Sequence, residues 1–196
     1  MPELPEVETV RRGLAPVLVG ARLLRVEQRR ADLRFPFPPD FVQRLEGQRI
    51  EALERRAKYL LMRLESDDTV LMHLGMSGRF LIELPEKNAK NPKKPGHFYQ
   101  KTDLSAKHEH VVFHTDQGAR IGYVDPRRFG FMTLIAPDAR ERDPLLCDLG
   151  VEPLSNQFDA AILRAVLKGS KAPLKSALLD QKRIAGLGNI YVCEAL

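Results

Sequence analysis

A succession of short apolar segments runs through the chain between residues 22 and 135. Each is rich in branched or aromatic residues and is separated from the next by residues typical of turns, which predicts β-strands. Several strands at this spacing predict a β-sandwich or barrel. The segments are RLLRVEQ, KYLLMRL, TVLMHL, RFLIEL, HVVFHT, RIGYV and FMTLIA. Asp116-Gln117-Gly118 lies between two of them and is predicted to form a hairpin turn.

The segment from Glu83 to Lys107 interrupts this strand pattern with three prolines and six lysines. Pro and Gly residues at such density disfavour regular secondary structure, so a mobile hairpin loop is predicted here. Its lysines either form an ordinary solvated surface or add non-specific attraction to phosphate groups. The sequence pattern leaves both interpretations open.

The opening segment, MPELPEVETVRRGL, predicts a short N-terminal helix. Pro5 suits a first helical turn, and Glu6 and Glu8 suit the positive end of the helix dipole. Four apolar residues recur at roughly helical spacing, and these are Leu4, Val7, Val10 and Leu14. Gly13 and Pro16 are predicted to end this helix.

After residue 150 the pattern becomes helical again. Ser155 or Asn156 is predicted to cap a helix that Gly169 closes. The apolar stripe of that helix consists of Phe158, Ile162, Leu163, Val166 and Leu167. The sequence therefore predicts an α+β fold that is mainly β. A β-sandwich with an N-terminal helix occupies residues 1–150, and a helical region occupies residues 151–196.

The helical region continues with a second helix predicted over residues 174–182. The glycine-bearing turn RIAGLGN follows, and Asn189 is predicted to cap a third helix. No terminating residue follows this third helix before Leu196, so we expect the chain to be part of a longer protein.

The charge balance favours an anionic partner. The net charge is +5 and the isoelectric point is near 9.3, and basic side chains release condensed counterions when they bind phosphate. No segment approaches the ~18 apolar residues of a membrane span, and no secretory signal opens the chain, so we expect a cytosolic protein. Cys147 and Cys193 form neither a metal pair nor a disulfide framework and are predicted to be reduced thiols.

Pro2 is the residue with the most unusual potential reactivity. Removal of Met1 would leave a secondary amine at the N-terminus, and the pKa of such an amine lies well below that of a lysine. A neutral amine that attacks a sugar carbon forms an iminium ion, which is an electron sink for β-elimination. Glu3 beside it could supply the proton that opens the sugar ring. The ordinary alternative is that Pro2 and Glu3 simply start a helix.

Two further motifs place exposed groups in turns. HLGMSGRF puts Met76 between two glycines, where it either folds back on the core or meets an external partner. DPRRFGFM combines Arg127, Arg128 and Phe129, and such residues can brace an unpaired base and wedge into a base step. Without further context, a solvated arginine pair beside a core phenylalanine is the alternative.

The triplet His108-Glu109-His110 would place both imidazoles on one face of a strand, as in a metal pair. No third ligand is suggested by the sequence, and a polar strand entry is the alternative. We therefore predict no metal site and no cofactor in this chain.

These motifs together resemble the bacterial formamidopyrimidine-DNA glycosylases. The 14-residue string MPELPEVETVRRGL resembles their amino-terminal signature, and HLGMSGRF, DPRRFGFM and QKRIAGLGN follow in the family's order. The resemblance implies a bifunctional DNA glycosylase and abasic-site lyase that removes oxidised purines from duplex DNA as a monomer. It implies a β-sandwich followed by a helix-two-turn-helix region.

The same resemblance implies a role for each matching residue. Pro2 would be the nucleophile, Glu3 the proton donor and Glu6 a supporting acid. Lys58 would bind phosphate close to the lesion. Met76, Arg127 and Phe129 would fill the gap that base flipping leaves and face the estranged cytosine. The implied phosphate contacts are His73, Arg128 and Asn189.

The resemblance stops short of the family's carboxy-terminal part. Family members continue through a lesion-capping loop and a four-cysteine zinc finger, neither of which is in this sequence. Zinc is therefore expected only in a longer parent protein. Two rival functions stay open: an endonuclease VIII-type glycosylase for oxidised pyrimidines, which typically has glycine where Leu4 stands, and a non-catalytic damaged-DNA-binding module.

Overall fold

The computed structural model describes residues 2–85 and 106–196. Within these ranges the strands are β1 (Leu23–Gln28), β2 (Ile50–Arg56), β3 (Tyr59–Leu64), β4 (Thr69–His73), β5 (Arg79–Glu83), β6 (Glu109–Thr115), β7 (Arg120–Val124) and β8 (Phe131–Ile135). The helices are α1 (Leu4–Leu18), α2 (Phe41–Leu45), α3 (Ala160–Leu167), α4 (Leu174–Leu179) and α5 (Asn189–Ala195). The strands form two antiparallel sheets, in the orders β1-β6-β7-β5 and β2-β3-β4-β8. The predicted α+β fold, mainly β, is confirmed.

Side chains from both sheets and from α1 meet in one buried apolar cluster, the core of the sandwich. The alternation along β3 shows how the sequence produces it. Leu60 and Met62 belong to this core, whereas Leu61 joins a second cluster that Leu145 and Leu146 cover on the opposite face. Successive strand residues point to opposite faces of a sheet, so one run of apolar residues serves both layers.

The predicted hairpin between β6 and β7 is confirmed. The two strands pair antiparallel, and the Gly118 N–H donates to the Thr115 carbonyl at 3.0 Å. Gly118 has φ of +80°, which is a conformation that glycine adopts without steric cost. The Lys-rich loop predicted between Glu83 and Lys107 lies, for residues 86–105, outside the described part of the chain.

Helix α1 extends past its predicted end to Leu18. Leu14 and Leu18 are buried in the sandwich core, and full burial of a leucine contributes about 1.5–3 kcal/mol. Two such residues offset a helical glycine, which costs about 1 kcal/mol, and a helical proline, which costs about 3 kcal/mol. The prediction that Gly13 and Pro16 end the helix was wrong because tertiary packing outweighs local propensity.

The helical region corrects three predicted boundaries. Helix α3 is capped by Asp159, whose carboxylate accepts the Ile162 N–H at 2.8 Å, and not by Ser155 or Asn156. Helix α4 ends at Leu179 because the Asp180 carboxylate takes the Lys182 N–H at 3.0 Å, which competes with helix continuation. Asn189 does not cap α5, since Gly188 holds that position.

Two glycines shape the helical region: Gly169 ends α3, and Gly186 contacts α1. The predicted closure of α3 by Gly169 is confirmed, with φ of +74° just beyond the helix. Gly186 joins the region to α1, because its carbonyl accepts the Leu4 N–H at 3.1 Å. A Cβ at Gly186 would lie 2.5 Å from Leu4 Cδ1, so only glycine fits this contact.

Among the described residues, no helix has both the length and the apolar character to cross a membrane.

Candidate active site

Glu3 joins α1 to the start of α5. It is only 1% exposed, and its carboxylate accepts N–H groups at the start of α5 from Gly188 at 2.6 Å, Ile190 at 2.8 Å and Tyr191 at 3.4 Å. These amides have no partner within their own helix, and the positive end of the helix dipole attracts the carboxylate. The carboxylate of the residue that follows the half-buried Pro2 is therefore fixed in position.

Glu6 and Tyr191 extend this contact between α1 and α5. One Glu6 oxygen accepts the Glu3 N–H at 2.9 Å, and the other accepts the Tyr191 O–H at 2.8 Å. The hydrogen bond to Glu6 raises the pKa of Tyr191. Tyr191 is a site residue that sequence reasoning missed, because nothing in NIYVCEAL distinguishes it from an ordinary helix residue.

Lys58 lies in the turn between β2 and β3 and reaches the same place. Its Nζ donates to the Leu187 carbonyl at 2.9 Å. Burial lowers the pKa of Lys58, while the nearby Glu3 carboxylate acts in the opposite direction. The turn itself is held by Glu152, which accepts the Ala57 N–H at 2.6 Å. Lys58 and Glu3 are thus brought together from distant parts of the sequence.

His73 ends β4 on the side of Lys58. Its Nδ1 accepts the Gly75 N–H at 3.0 Å, so its proton is on Nε2 when the ring is neutral. Burial, together with the charges of Lys58 and Arg34, lowers the pKa of His73 from 6.5 to about 4. At neutral pH the ring is therefore uncharged and can offer one N–H to a phosphate oxygen.

The lowered pKa of His73 predicts a specific pH dependence of stability. Between pH 6.5 and about 4 the unfolded chain binds a proton at His73 that the folded chain excludes, so the free energy of unfolding falls as the pH is lowered. The loss is at most about 3 kcal/mol. Urea unfolding at pH 7.5 and pH 4.5 measures it, and His73→Gln should show a smaller difference between the two pH values. An unchanged difference in that variant would contradict the assignment.

Met76, Arg127 and Phe129 come together at a separate point on the surface. Met76 is 43% exposed and Phe129 is 44% exposed, and the Arg127 guanidinium lies over the Phe129 ring at 4.7 Å. A Cβ at Gly75 would be 2.3 Å from the Gly130 nitrogen, so the two turns pack backbone against backbone. Both apolar side chains are therefore accessible to a partner.

Arg34 is a second residue that the sequence did not reveal. Its N–H donates to the Gly130 carbonyl at 3.1 Å, and its charge contributes to the low pKa of His73. Its guanidinium lies 5.4 Å from the Phe35 ring centroid. The surrounding RFPFP has no pattern that would separate a site residue from a surface loop.

The remaining residues that the family resemblance implies as phosphate contacts, Arg128 and Asn189, both lie on the surface. Asn189 is exposed in the first turn of α5, and Arg128 is exposed with φ of +56°. His108 lies in a 3-10 turn before β6, so the expected pair of imidazoles on one strand is not formed. His110 is buried, with Nε2 2.8 Å from the Asp125 carbonyl oxygen. The described residues contain no cluster of three or more metal-ligating side chains.

Family models match most of the chain. Residues 1–132 match the formamidopyrimidine-DNA glycosylase N-terminal domain, and residues 149–196 match the formamidopyrimidine-DNA glycosylase H2TH domain. A formamidopyrimidine-DNA glycosylase of Phenylobacterium zucineum (strain HLK1) is 60% identical over 196 residues, which are 100% of this chain and 67% of that protein. One from Bradyrhizobium sp. (strain ORS 278) is 58% identical, again over 100% of this chain and 66% of that protein.

Solved structures give the same result. The wild-type Fpg (MutM) of Lactococcus lactis, in complex with DNA that contains N7-benzyl-Fapy-dG, has a TM-score of 0.79 at 32% identity, over 100% of this chain and 66% of that one. The MutM (Fpg) protein of Thermus thermophilus has a TM-score of 0.77 at 37% identity, over 100% of this chain and 63% of that one. The chain therefore spans about two thirds of the length of these relatives. It belongs to the formamidopyrimidine-DNA glycosylase family.

Proposed function

We propose that this chain performs base-excision repair, as a DNA glycosylase and abasic-site lyase that removes 8-oxoguanine and formamidopyrimidines from duplex DNA. The observation that carries the proposal is the junction of α1 and α5. There Glu3, the residue next to the N-terminal proline, is fixed by three backbone amides that lie 185 or more positions away in the sequence. A fixed carboxylate beside a secondary amine is what amine catalysis at a sugar carbon requires.

The proposed reaction begins with attack of the neutral Pro2 amine on C1′ of the damaged nucleotide. The N–C1′ bond forms as the bond from C1′ to the base breaks, the base leaves with that electron pair and takes a proton from water, and the amine proton passes to Glu3. Both Glu3 oxygens accept hydrogen bonds from N–H groups, so Glu3 begins as a proton acceptor. We propose that it then returns the proton to the ring oxygen, which opens the sugar and leaves an iminium ion.

The iminium ion then drives strand cleavage. Transfer of a proton from C2′ to water expels the 3′ phosphate, and transfer of the C4′ proton to water in a second elimination expels the 5′ phosphate. The steps use the Pro2 amine, the Glu3 carboxylate and water, so we propose no cofactor. The zinc finger implied by the resemblance needs four cysteines, whereas this chain has two, both exposed, and no step is derived through zinc.

The remaining residues are proposed to hold the DNA. His73 would donate its Nε2 proton to a phosphate oxygen, with Lys58, Arg128 and Asn189 as further phosphate contacts. Met76 and Phe129 would occupy the space that the flipped nucleotide leaves, and Arg127 would face the estranged base. Damaged duplex DNA is the proposed partner of a monomer, and the bacterial cytosol is the proposed location. We also propose the division into a catalytic part, residues 1–150, and a helical DNA-binding part, residues 151–196.

Borohydride trapping tests this function. The chain is incubated with a duplex that contains 8-oxoguanine opposite cytosine, and borohydride reduces the iminium ion to a stable cross-link. We expect a cross-link with this duplex and none with an undamaged one. Preference for an oxidised-pyrimidine duplex would favour the endonuclease VIII-type alternative. Duplex binding with no cross-link from chain lacking Met1 would favour the non-catalytic binding module.

A further inference from the structure

The two turns that carry the exposed wedge residues pack backbone against backbone and are also connected by a buried carboxylate. We call residues 74–78 the Met76 turn and residues 125–130 the Arg127 turn. Asp125 is 0% exposed. Its Oδ1 accepts the Ser77 O–H of the Met76 turn at 2.5 Å, and its Oδ2 accepts the Gly130 N–H of its own turn at 2.8 Å.

Ser77 completes a link between the turns. Its Oγ donates to Asp125 and also accepts the Arg127 N–H at 3.2 Å. One serine side chain therefore connects the Met76 turn to two residues of the Arg127 turn. The bridge contacts the residues next to Met76 and next to Phe129, but it leaves the wedge side chains themselves free to meet a partner.

Asp125 forms no ion pair with a cationic side chain among the described residues, although two arginines belong to its own turn. Burial of a carboxylate without a cation is unfavourable unless hydrogen bonds compensate for the lost water. Here the donors are Ser77, Gly130 and, at 3.4 Å, the O–H of Tyr123. An apolar residue at this position would leave these three donors without their acceptor, so the carboxylate serves to connect them.

We propose that Asp125 is a positioning residue that locks the two turns into one rigid wedge, so that Met76, Arg127 and Phe129 enter DNA as a unit. The inference rests on the proposed function. A preorganised wedge loses little conformational entropy when it enters the base stack, whereas two independent turns would each have to be ordered. Rigid coupling also fixes the distance between Met76, which would fill the gap, and Arg127, which would face the estranged base.

Three variants separate this role from simple support of the fold. Ser77→Ala removes the bridge but leaves Asp125 its other two donors. Asp125→Asn keeps the size of the side chain but reduces the number of hydrogen bonds that it can accept. Thr115→Val removes a buried hydroxyl that bonds Ala119 in the hairpin between β6 and β7, away from both turns, and it is the matched control.

The first measurement needs no DNA. Hydrogen exchange of the Arg127 and Gly130 amides reports directly on the coupling of the turns. We expect Ser77→Ala to speed exchange of the Arg127 amide by about tenfold, and Asp125→Asn to speed that of the Gly130 amide similarly, while the amides of β3 and β4 stay unchanged. Unchanged exchange in both variants, or equal changes of the Arg127 and Gly130 amides in Thr115→Val, would overturn the coupling.

The second measurement asks whether the coupling serves base flipping. In single-turnover assays, we expect Ser77→Ala and Asp125→Asn to slow 8-oxoguanine excision by about 10- to 100-fold. Cleavage of a duplex with a preformed abasic site, where no base must be extruded, should slow by less than about threefold. Equal slowing on both substrates would refute the positioning role. Absence of all activity in the unmodified chain would refute the proposed function instead, and the exchange measurement would still decide the coupling.

Discussion

A chain that keeps a residue in front of Pro2 will excise 8-oxoguanine at least roughly 1000-fold more slowly than one that begins at Pro2, because an amide nitrogen replaces the nucleophilic amine. Insertion of a lysine between Met1 and Pro2 prevents exposure of the amine and leaves every other residue in place. Intact mass confirms the N-terminus, and single-turnover excision measures the rate. The loss should appear in the rate constant for chemistry, with duplex binding unchanged.

Pro2→Gly is the matched control for that experiment. Its processed chain ends in a primary amine, which still forms a Schiff base, so it should keep measurable cross-linking while the lysine insertion keeps none. If the insertion variant excises 8-oxoguanine at the rate of the processed chain, another nucleophile performs the reaction. Lys58 would then be the first candidate, because its Nζ lies beside the 186–188 turn and interacts with Glu3.

Gly188→Ala should lower the rate of base excision by about 100-fold, the scale of a displaced general acid–base group. Gly188 has φ of −134° and ψ of −168°, which alanine adopts without strain. The added Cβ would lie 2.5 Å from Glu3 Cδ and 2.6 Å from Glu3 Oε1, so the carboxylate must leave the α5 amides. Rapid-quench measurement on the 8-oxoguanine duplex checks the expected loss.

Gly169→Ala supplies the comparison for that loss. It lies in the same helical region with φ of +74°, and a Cβ there would meet nothing within 4 Å. We expect it to lower stability by about 1 kcal/mol through backbone strain and to leave the excision rate unchanged. Similar excision rates for Gly188→Ala and the unmodified chain, with Glu3 still functional, would show that the α5 amides do not control catalysis.

His73 interacts both with Lys58 and with the Met76 turn. The charge of Lys58 lowers the pKa of His73, and Lys58 itself donates a hydrogen bond to a carbonyl of the 186–188 turn. The Nδ1 of His73 accepts the Gly75 N–H of the Met76 turn. A phosphate bound at His73 would therefore be positioned with respect to both groups at once. This arrangement explains why an uncharged histidine suits the site, since a neutral N–H can bind phosphate without adding another cation beside Lys58.

Seven of the eight described strands match segments named from the sequence, because period-two alternation and turn residues are local properties, whereas β2 (Ile50–Arg56) was not among those segments. Asp116-Gln117-Gly118 is an example, since its three residues are enough to define the hairpin. Helix ends were less predictable. Gly13 and Pro16 are local stop signals, yet α1 continues to Leu18 because the core needs Leu14 and Leu18. Such an outcome depends on packing that no local window contains.

The candidate site was likewise predictable only in part from the sequence. Pro2, Met76 and Arg127 were predicted as site residues because they lie in motifs with a recognisable order along the chain. The contacts that fix them were not found, because they join residues far apart in sequence. Glu3 with Gly188 and Arg34 with Gly130 are examples. Ser77 and Asp125 were within quoted motifs, but their 2.5 Å hydrogen bond exists only in the folded chain.

The most direct test of the account is the location of the covalent bond to DNA. The borohydride-reduced complex with the 8-oxoguanine duplex is digested with protease and nuclease, and tandem mass spectrometry identifies the residue that retains the sugar remnant. We expect the remnant on the backbone nitrogen of Pro2, in a peptide that begins Pro2-Glu3-Leu4 and lacks Met1. A remnant on Lys58, or on any other side chain, would contradict it.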